Sequence, residues 1–518
     1  MAFNSYILLF FALVAAHFRC GLTNSPYSHP HFAGNRSVIV HLMQWKFVDI
    51  AAECERFLGP FGYGGIQLSP VNEHAVLGNR PWYELYQPVS YRIISRSGNE
   101  AEFKDMVHRC NKAGVRIYVD AVLNHMTGAQ EGSGTAGSHY NGNSMQYPGV
   151  PFGPNDFHGH ESCPTSDLEI HNYDNAQEAR NCRLSGLRDL KQSSEYVRTK
   201  QAEFLNKLID AGVAGFRFDA SKHMWPGDLE AIYGKLHSLN TAYFPSNSKP
   251  FVYHEVIYYG GNGIKSSEYT RLGRAIEFHY YRELANVLRH HNQLKWLKTF
   301  GQNWSMVPSD DALVMVDSHD MQRGHTGTLG LNINFFEPKL LKVATAFMLA
   351  WPYGVTRVMS SYHWNQKIQN GHDVNDWMGP PSDSHGNILS VKPNADLTCN
   401  KEWVCEHRWR QIYNMVAFRN IAGSEPVTHW WDNGDYEIAF SRGNKAFIAL
   451  NLQPGQTLHR TLQTGLPKGE YCDLVTGNLK DGKCTGKTVH VDQSGNAEIT
   501  INSSSDDDFV AIHVHAKH

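Results

Sequence analysis

The sequence is short of the features that mark several large functional classes. Lys and Arg number 47 against 50 Asp and Glu, a net charge of −3. No single-sign field therefore exists to attract a nucleic-acid backbone or an anionic bilayer. Beyond the first twenty residues no apolar run is long enough to span a membrane. Cysteines are few, nine in 518 residues, and none is spaced as a CxxC pair, which argues against a zinc site. Internal repeats, heptads and low-complexity tracts are missing too. Nucleic acid and membrane are excluded as partners on these grounds.

What remains is a long, ordinary globular composition. At 518 residues and 41% apolar, the chain can bury a large core divided among two or three lobes. The run Tyr6–Ala16 is too short to cross a bilayer and is followed by polar, Pro- and His-containing sequence. It reads as a signal peptide over 1–21, although Lys and Arg are absent ahead of it. The expected product is secreted. Cys20 falls at the cleavage region, leaving Cys54, Cys110, Cys163, Cys182, Cys399, Cys405, Cys472 and Cys484. An even number suits an oxidising compartment, with the pairing open at this level. N-x-S/T triplets at Asn35, Asn303 and Asn502 are compatible with secretion.

Seven β-branched or aromatic runs read as buried parallel strands: 37–45, 65–70, 115–126, 215–223, 250–256, 313–320 and 355–361. Most precede a helical pattern, as at 99–113, 193–211 and 338–349. This β-then-α alternation fits a parallel barrel or a doubly wound sheet. Asp, Glu and His collect at the carboxyl ends of the strands, where barrels build their active sites, so the expected fold is a (β/α)8 TIM barrel. The Gly-, Asn- and His-rich stretch 124–190 is too long for a plain loop and reads as a small inserted domain after strand 3. Barrel segments are assigned to 22–123 and 191–423. Residues 424–518 alternate in short runs between Asn-Gly, Lys-Gly and Asp-Gly turns, predicting a C-terminal antiparallel β-sandwich.

Three motifs end these strands in carboxylates: Gly215-Phe-Arg-Phe-Asp-Ala-Ser-Lys-His223, Phe251-Val-Tyr-His-Glu-Val256 and Val316-Asp-Ser-His-Asp-Met-Gln-Arg323. One Asp after one strand is more often a helix cap or an ion pair. Asp219, Glu255 and Asp320 at consecutive strand mouths suggest instead one shared polar pocket. Clustered carboxylates raise the pKa of at least one member. That suits glycoside hydrolysis, which needs one carboxylic acid and one carboxylate.

Together with Asp120-Ala-Val-Leu-Asn-His125, these motifs resemble the four signature regions of the α-amylase family. The likeness to its chloride-dependent animal branch runs on through Gly64–Pro70, Arg80–Tyr91, Arg96–Glu100, Cys182–Leu187, Tyr353–Tyr362 and Cys405–Arg410, nearly the whole mature chain. The resemblance implies an endo-acting hydrolase cutting internal α-1,4 bonds of starch, glycogen and maltooligosaccharides with retention, and a monomer. It implies Asp219 as nucleophile, Glu255 as general acid and then base, and Asp320 as the carboxylate holding sugar hydroxyls. A nucleophile-to-acid separation of roughly 5–5.5 Å is the retaining geometry. Arg217, on the same strand face as Asp219, is expected to hold Asp219 anionic.

His125 and His319 are implied as hydroxyl donors, and Trp82, Tyr83, Tyr86 and Gln87 as an aromatic platform with a polar edge. Tyr173, Lys222, His223 and His325 match positions farther along the cleft. For calcium the resemblance gives Asn124, Asp189 and the backbone carbonyls of Arg180 and His223, all oxygen ligands as a hard cation prefers. Its disulfide pattern is Cys54–Cys110, Cys163–Cys182, Cys399–Cys405 and Cys472–Cys484; a further vertebrate bridge is lost because Ile94 replaces one cysteine.

For chloride it gives Arg217 and Arg357, but Ser318 stands where the family has Asn and Met321 replaces a second Asn. The expectation is that chloride binds, more weakly. Tyr258 and Asn262 replace acidic residues, and His254 a Gln, at the leaving-group end. A non-catalytic carbohydrate-binding subunit, an exo-acting α-glucosidase and a transglycosylase share much of this pattern; the intact carboxylates and the Trp82–Tyr86 platform favour endo-hydrolysis.

Overall fold

The structure is a computed structural model, and it describes residues 25–327, 330–502 and 504–518. The signal-peptide assignment lies outside them. Eight parallel strands close into a barrel: β1 (Val38–Leu42), β2 (Gly65–Leu68), β3 (Arg116–Ala121), β4 (Gly215–Phe218), β5 (Phe251–His254), β6 (Arg274–Ile276), β7 (Ala312–Val314) and β8 (Val355–Ser360). Each strand neighbours its successor in sequence, and β8 closes on β1. The strands are continuous apolar runs because helices cover them outside and side chains fill them inside. β6, absent from the sequence reading, is three residues long. The others end earlier than the sequence suggested.

Register sets the site. Arg217 pairs with Tyr253 and Phe218 with His254, so Asp219 and Glu255 leave the sheet at the same level on adjacent strands. Asp120 pairs with Arg217 on the other side. Beneath the mouth the barrel interior is polar. Gln67 Oε1 accepts from Tyr253 Oη at 2.9 Å and from Arg357 Nη1 at 2.6 Å, and Arg217 Nη1 donates to Asp120 at 2.6 Å. Arg217 thus has a carboxylate partner, whereas Arg357 is held by neutral groups alone.

After β3 the chain runs through the inserted segment, where a hairpin pairs Glu131–Ser133 with His139–Asn141. Tyr140, Tyr147, Phe152, Phe157 and Leu190 form its own apolar cluster. Two four-stranded antiparallel sheets complete the C-terminal end. One is β9 (Val427–Asp432), β10 (Glu437–Arg442), β11 (Ala446–Asn451) and β16 (Phe509–His513); the other runs in the order β12 (Leu458–Gln463), β15 (Asn496–Ile501), β14 (Thr488–Val491) and β13 (Gly469–Cys472). Phe447, Leu458, Tyr471, Ile499 and Ile512 pack between them. Four disulfides join Cys54 to Cys110, Cys163 to Cys182, Cys399 to Cys405 and Cys472 to Cys484.

Candidate active site

A cavity of about 460 Å³ opens at the carboxyl end of the barrel and is lined by Asp219, Glu255 and Asp320 together with Trp82, Tyr83, Tyr86, Gln87, His125, His319 and His325. Asp219 is the first residue beyond β4, Glu255 the first beyond β5, and Asp320 lies in the segment that follows β7. Ala220, just after Asp219, sits at φ +49°, a left-handed conformation unusual for a residue with a Cβ. That turn aims the Ala220 N–H at Glu255 Oε2, 2.8 Å away. The strain is held at the chemical centre, where such outliers tend to cluster.

Arg217 ties the carboxylates together. Its Nη1 donates to Asp120 at 2.6 Å and to Asp219 at 3.0 Å, and its Nη2 donates to Glu255. The expectation that Arg217 keeps Asp219 anionic is met only in part, because the guanidinium is shared among three acids. Burial pushes the Asp219 carboxyl well above the usual carboxylate range, the Glu255 charge pushes the same way, and Arg217 opposes both. Burial, with Glu255 adding to it, raises Asp320 to about 6. The coupled acids therefore share protons rather than titrating one by one, and Asp219 and Asp320 favour the protonated form more than free carboxylates do.

The histidines are neutral donors. Burial lowers His125 to about 4, and its Nε2 lies 2.9 Å from Tyr86 O. Burial and Arg217 hold His319 well below its ordinary value; its ring stacks on Tyr86 at 5.3 Å, and Nε2 lies 3.2 Å from Asp320. Tyr86 donates its hydroxyl to Asp120 at 2.9 Å. Tyr83 is 39% exposed and offers the open ring of the wall, whereas Trp82 is buried against His319 and His325. Gln87 Oε1 is taken by Gly128 N–H and Gln130, leaving its amide nitrogen for the cavity.

Tyr173, Lys222 and His223 are not among the lining residues. Tyr173 packs against His223, and Lys222 Nζ donates to Ile257 O at 3.2 Å. In their stead Leu184, Ser185, Leu187 and Ile257 line the cavity. They carry no chemical signal in sequence, since all but Ser185 are plain apolar residues. Sequence reasoning also missed Asp120 and His41 as site residues. Asp120 opens the Asp120–His125 motif, while His41 is an isolated histidine in an apolar strand, fully buried, its ring edge-on to His319 at 5.5 Å and under the influence of the Arg357 and Arg217 charges, with neither ring nitrogen partnered.

Asn124 and Asp189 are adjacent through the Leu190 N–H to Asn124 O bond of 2.9 Å. Asn124 Oδ1 and Asp189 Oδ1 are both buried without a hydrogen-bond partner. Unpaired buried acceptors are costly, and two oxygens left open in one place suit a hard cation. Among the described residues no group of three or more His, Cys, Asp or Glu side chains is arranged to hold a metal ion by itself. Elsewhere in the barrel interior, Arg217 Nε and Arg357 Nε are buried without hydrogen-bond partners. The Ser318 hydroxyl accepts from Met321 N–H at 3.2 Å, and its own proton can be given to an anion.

Comparison with known proteins agrees with this geometry. Residues 56–254 match the α-amylase catalytic domain and 429–515 the α-amylase C-terminal all-β domain. The chain is 76% identical to an α-amylase of Acarus siro over 95% of both chains, and 52% identical to human pancreatic α-amylase over 96% of this chain and 98% of that one. The structure of a mutant α-amylase I from Eisenia fetida in complex with maltohexaose superposes at a TM-score of 0.90 with 50% identity, covering 94% of this chain and 99% of that one. A barrel whose carboxyl end carries Asp219, Glu255 and Asp320, followed by an all-β domain, on a sequence this close to animal relatives, makes the chain a member of the α-amylase family of glycoside hydrolases.

Proposed function

We propose that the protein is a secreted endo-acting α-amylase that hydrolyses internal α-1,4 bonds of starch, glycogen and maltooligosaccharides with retention. The observation that carries this is the cavity on which three carboxylates, two of them bridged by Arg217, meet an aromatic wall. In the reactive protonation state Glu255 holds the shared proton and Asp219 is ionised. Glu255 gives its proton to the glycosidic oxygen as Asp219 attacks the anomeric carbon, the C–O bond breaks, and a glycosyl ester forms on Asp219. Glu255 then takes a proton from water, which attacks the anomeric carbon from the face the leaving group vacated, opposite the ester, and releases Asp219; the two inversions give net retention. Asp320, His125 and His319 hold ring hydroxyls while positive charge develops.

Asn124, Asp189 and the carbonyls of Arg180 and His223 would hold a calcium ion between the inserted domain (124–190) and the barrel (22–123 and 191–423), a structural role. Arg217, Arg357 and Ser318 would hold chloride below Glu255, where an anion offsets two buried guanidinium groups. No helix among the described residues is long and apolar enough to cross a membrane, compatible with a secreted monomer. Starch hydrolysis by wild type and Glu255→Gln, with products resolved by length, tests the reading. Mixed maltooligosaccharides lost in the variant support it; glucose alone would mean exo-attack, and starch binding without turnover a binding protein.

A further inference from the structure

Beyond the carboxylates, the rim of the cleft carries a contact that the site does not explain. Four residues after Glu255, the Tyr259 hydroxyl donates to the Thr326 carbonyl at 3.0 Å, joining the loop after β5 to the loop after β7. Gly260, Gly261 and Gly263 follow at φ +92°, +97° and +124°, a turn that folds the chain back and leaves Tyr259 half-buried. Its ring is fixed edge-on to Phe278 at 6.1 Å, with Arg282 over its face at 5.4 Å. The same β5 loop is tied to the loop after β4 by Lys222 Nζ on Ile257 O, and the β7 loop is tied across the cleft by His325 Nε2 near Asp376 Oδ2 at 2.9 Å. His325 is next to Thr326 and lines the cavity.

We propose that Tyr259 is a positioning residue: its hydroxyl braces the 324–326 loop so that His325 stands at the cavity wall beside Trp82 before a glucan arrives. The brace acts on binding rather than on bond cleavage, because the Tyr259 hydroxyl is spent on a backbone carbonyl of the loop. Preorganising a loop lowers the ordering that binding must supply. The inference rests on the amylase reading for its substrate, but its structural half does not.

The test compares wild type with Tyr259→Phe, which keeps the ring on Phe278 and removes only the hydroxyl. Amide hydrogen exchange of free enzyme should show protection of 322–327 falling about fivefold, the equivalent of one lost hydrogen bond. With maltohexaose, KM should rise about fivefold with kcat within twofold. Tyr259→Leu, which loses the ring as well, should raise KM at least as far. Unchanged exchange at 322–327, or an unchanged KM, would overturn the proposal, as would a fall in kcat at constant KM. Changed exchange in an enzyme that does not turn over any glucan would uphold the brace and refute the amylase reading.

Discussion

Replacing Arg217 by Lys keeps a positive charge at the site but removes the fork that reaches three acids. Nη1 serves Asp120 and Asp219, while Nη2 serves Glu255 from the other side. A lysine ammonium is a compact point charge on a flexible stem and cannot span these positions. At least one charge-assisted hydrogen bond is lost in a buried site, worth about 1.5–3 kcal/mol. If the loss falls on the transition state, kcat drops about 100-fold, the equivalent of about 2.7 kcal/mol. The pH profile carries the sharper signature. Arg217 opposes the rise of the Asp219 carboxyl, so weakening it raises that pKa further. Catalysis needs Asp219 ionised, and the acid limb of kcat must therefore move to higher pH. Stopped assays on soluble maltooligosaccharides across the acid and neutral range measure both. A variant within about threefold of wild type, or an acid limb that stays put or moves down, would refute the reasoning.

Other consequences can be checked separately. Chelation should lower the melting temperature of wild type, since an ion bound only by the folded state adds about 2.7 kcal/mol at a hundredfold excess over its Kd; Asp189→Ala should melt lower and be insensitive to chelator, and an equal chelator effect in both would sink the assignment. Ser318→Asn should tighten activation by chloride, read as a lower half-saturating concentration, and activity indifferent to exhaustive chloride removal would contradict an anion site at Arg217 and Arg357. Burial raises Glu406 to about 7. A folded-state value above the unfolded one means this contribution is full below about 4.5 and lost as pH rises through 7, on the order of 3 kcal/mol. Glu406→Gln should flatten the decline of the urea midpoint over that window; an identical slope would show that Glu406 does not titrate there.

Much of the architecture was legible because barrel strands are continuous apolar runs ending in polar residues. β6 escaped since Arg274–Ile276 is three residues long, too short for any periodicity, and owes its place to pairing with β5 and β7. The strand expected over 215–223 stops at Phe218 because the Asp219–Ala220 turn, at φ +49°, ends it, a tertiary demand that propensity cannot show. Asp219, Glu255 and Asp320 were readable as chemistry at strand ends. The sharing of Arg217 among three acids was not, because Asp120 lies 97 residues away in sequence and only barrel register brings it alongside. Tyr173, Lys222 and His223, which match positions farther along the cleft, lie away from the cavity that holds the carboxylates, while Leu184 and Leu187 of the Cys182–Leu187 motif and Ile257 line it as plain apolar residues with no chemical cue of their own.

The central claim is retention through Asp219 and Glu255, and the most direct test is the anomeric form of the first products. Proton NMR of maltohexaose hydrolysis by purified protein, read before mutarotation, should show new reducing ends as the α-anomer, with no signal from Glu255→Gln. New ends appearing as the β-anomer would mean inversion and contradict the account.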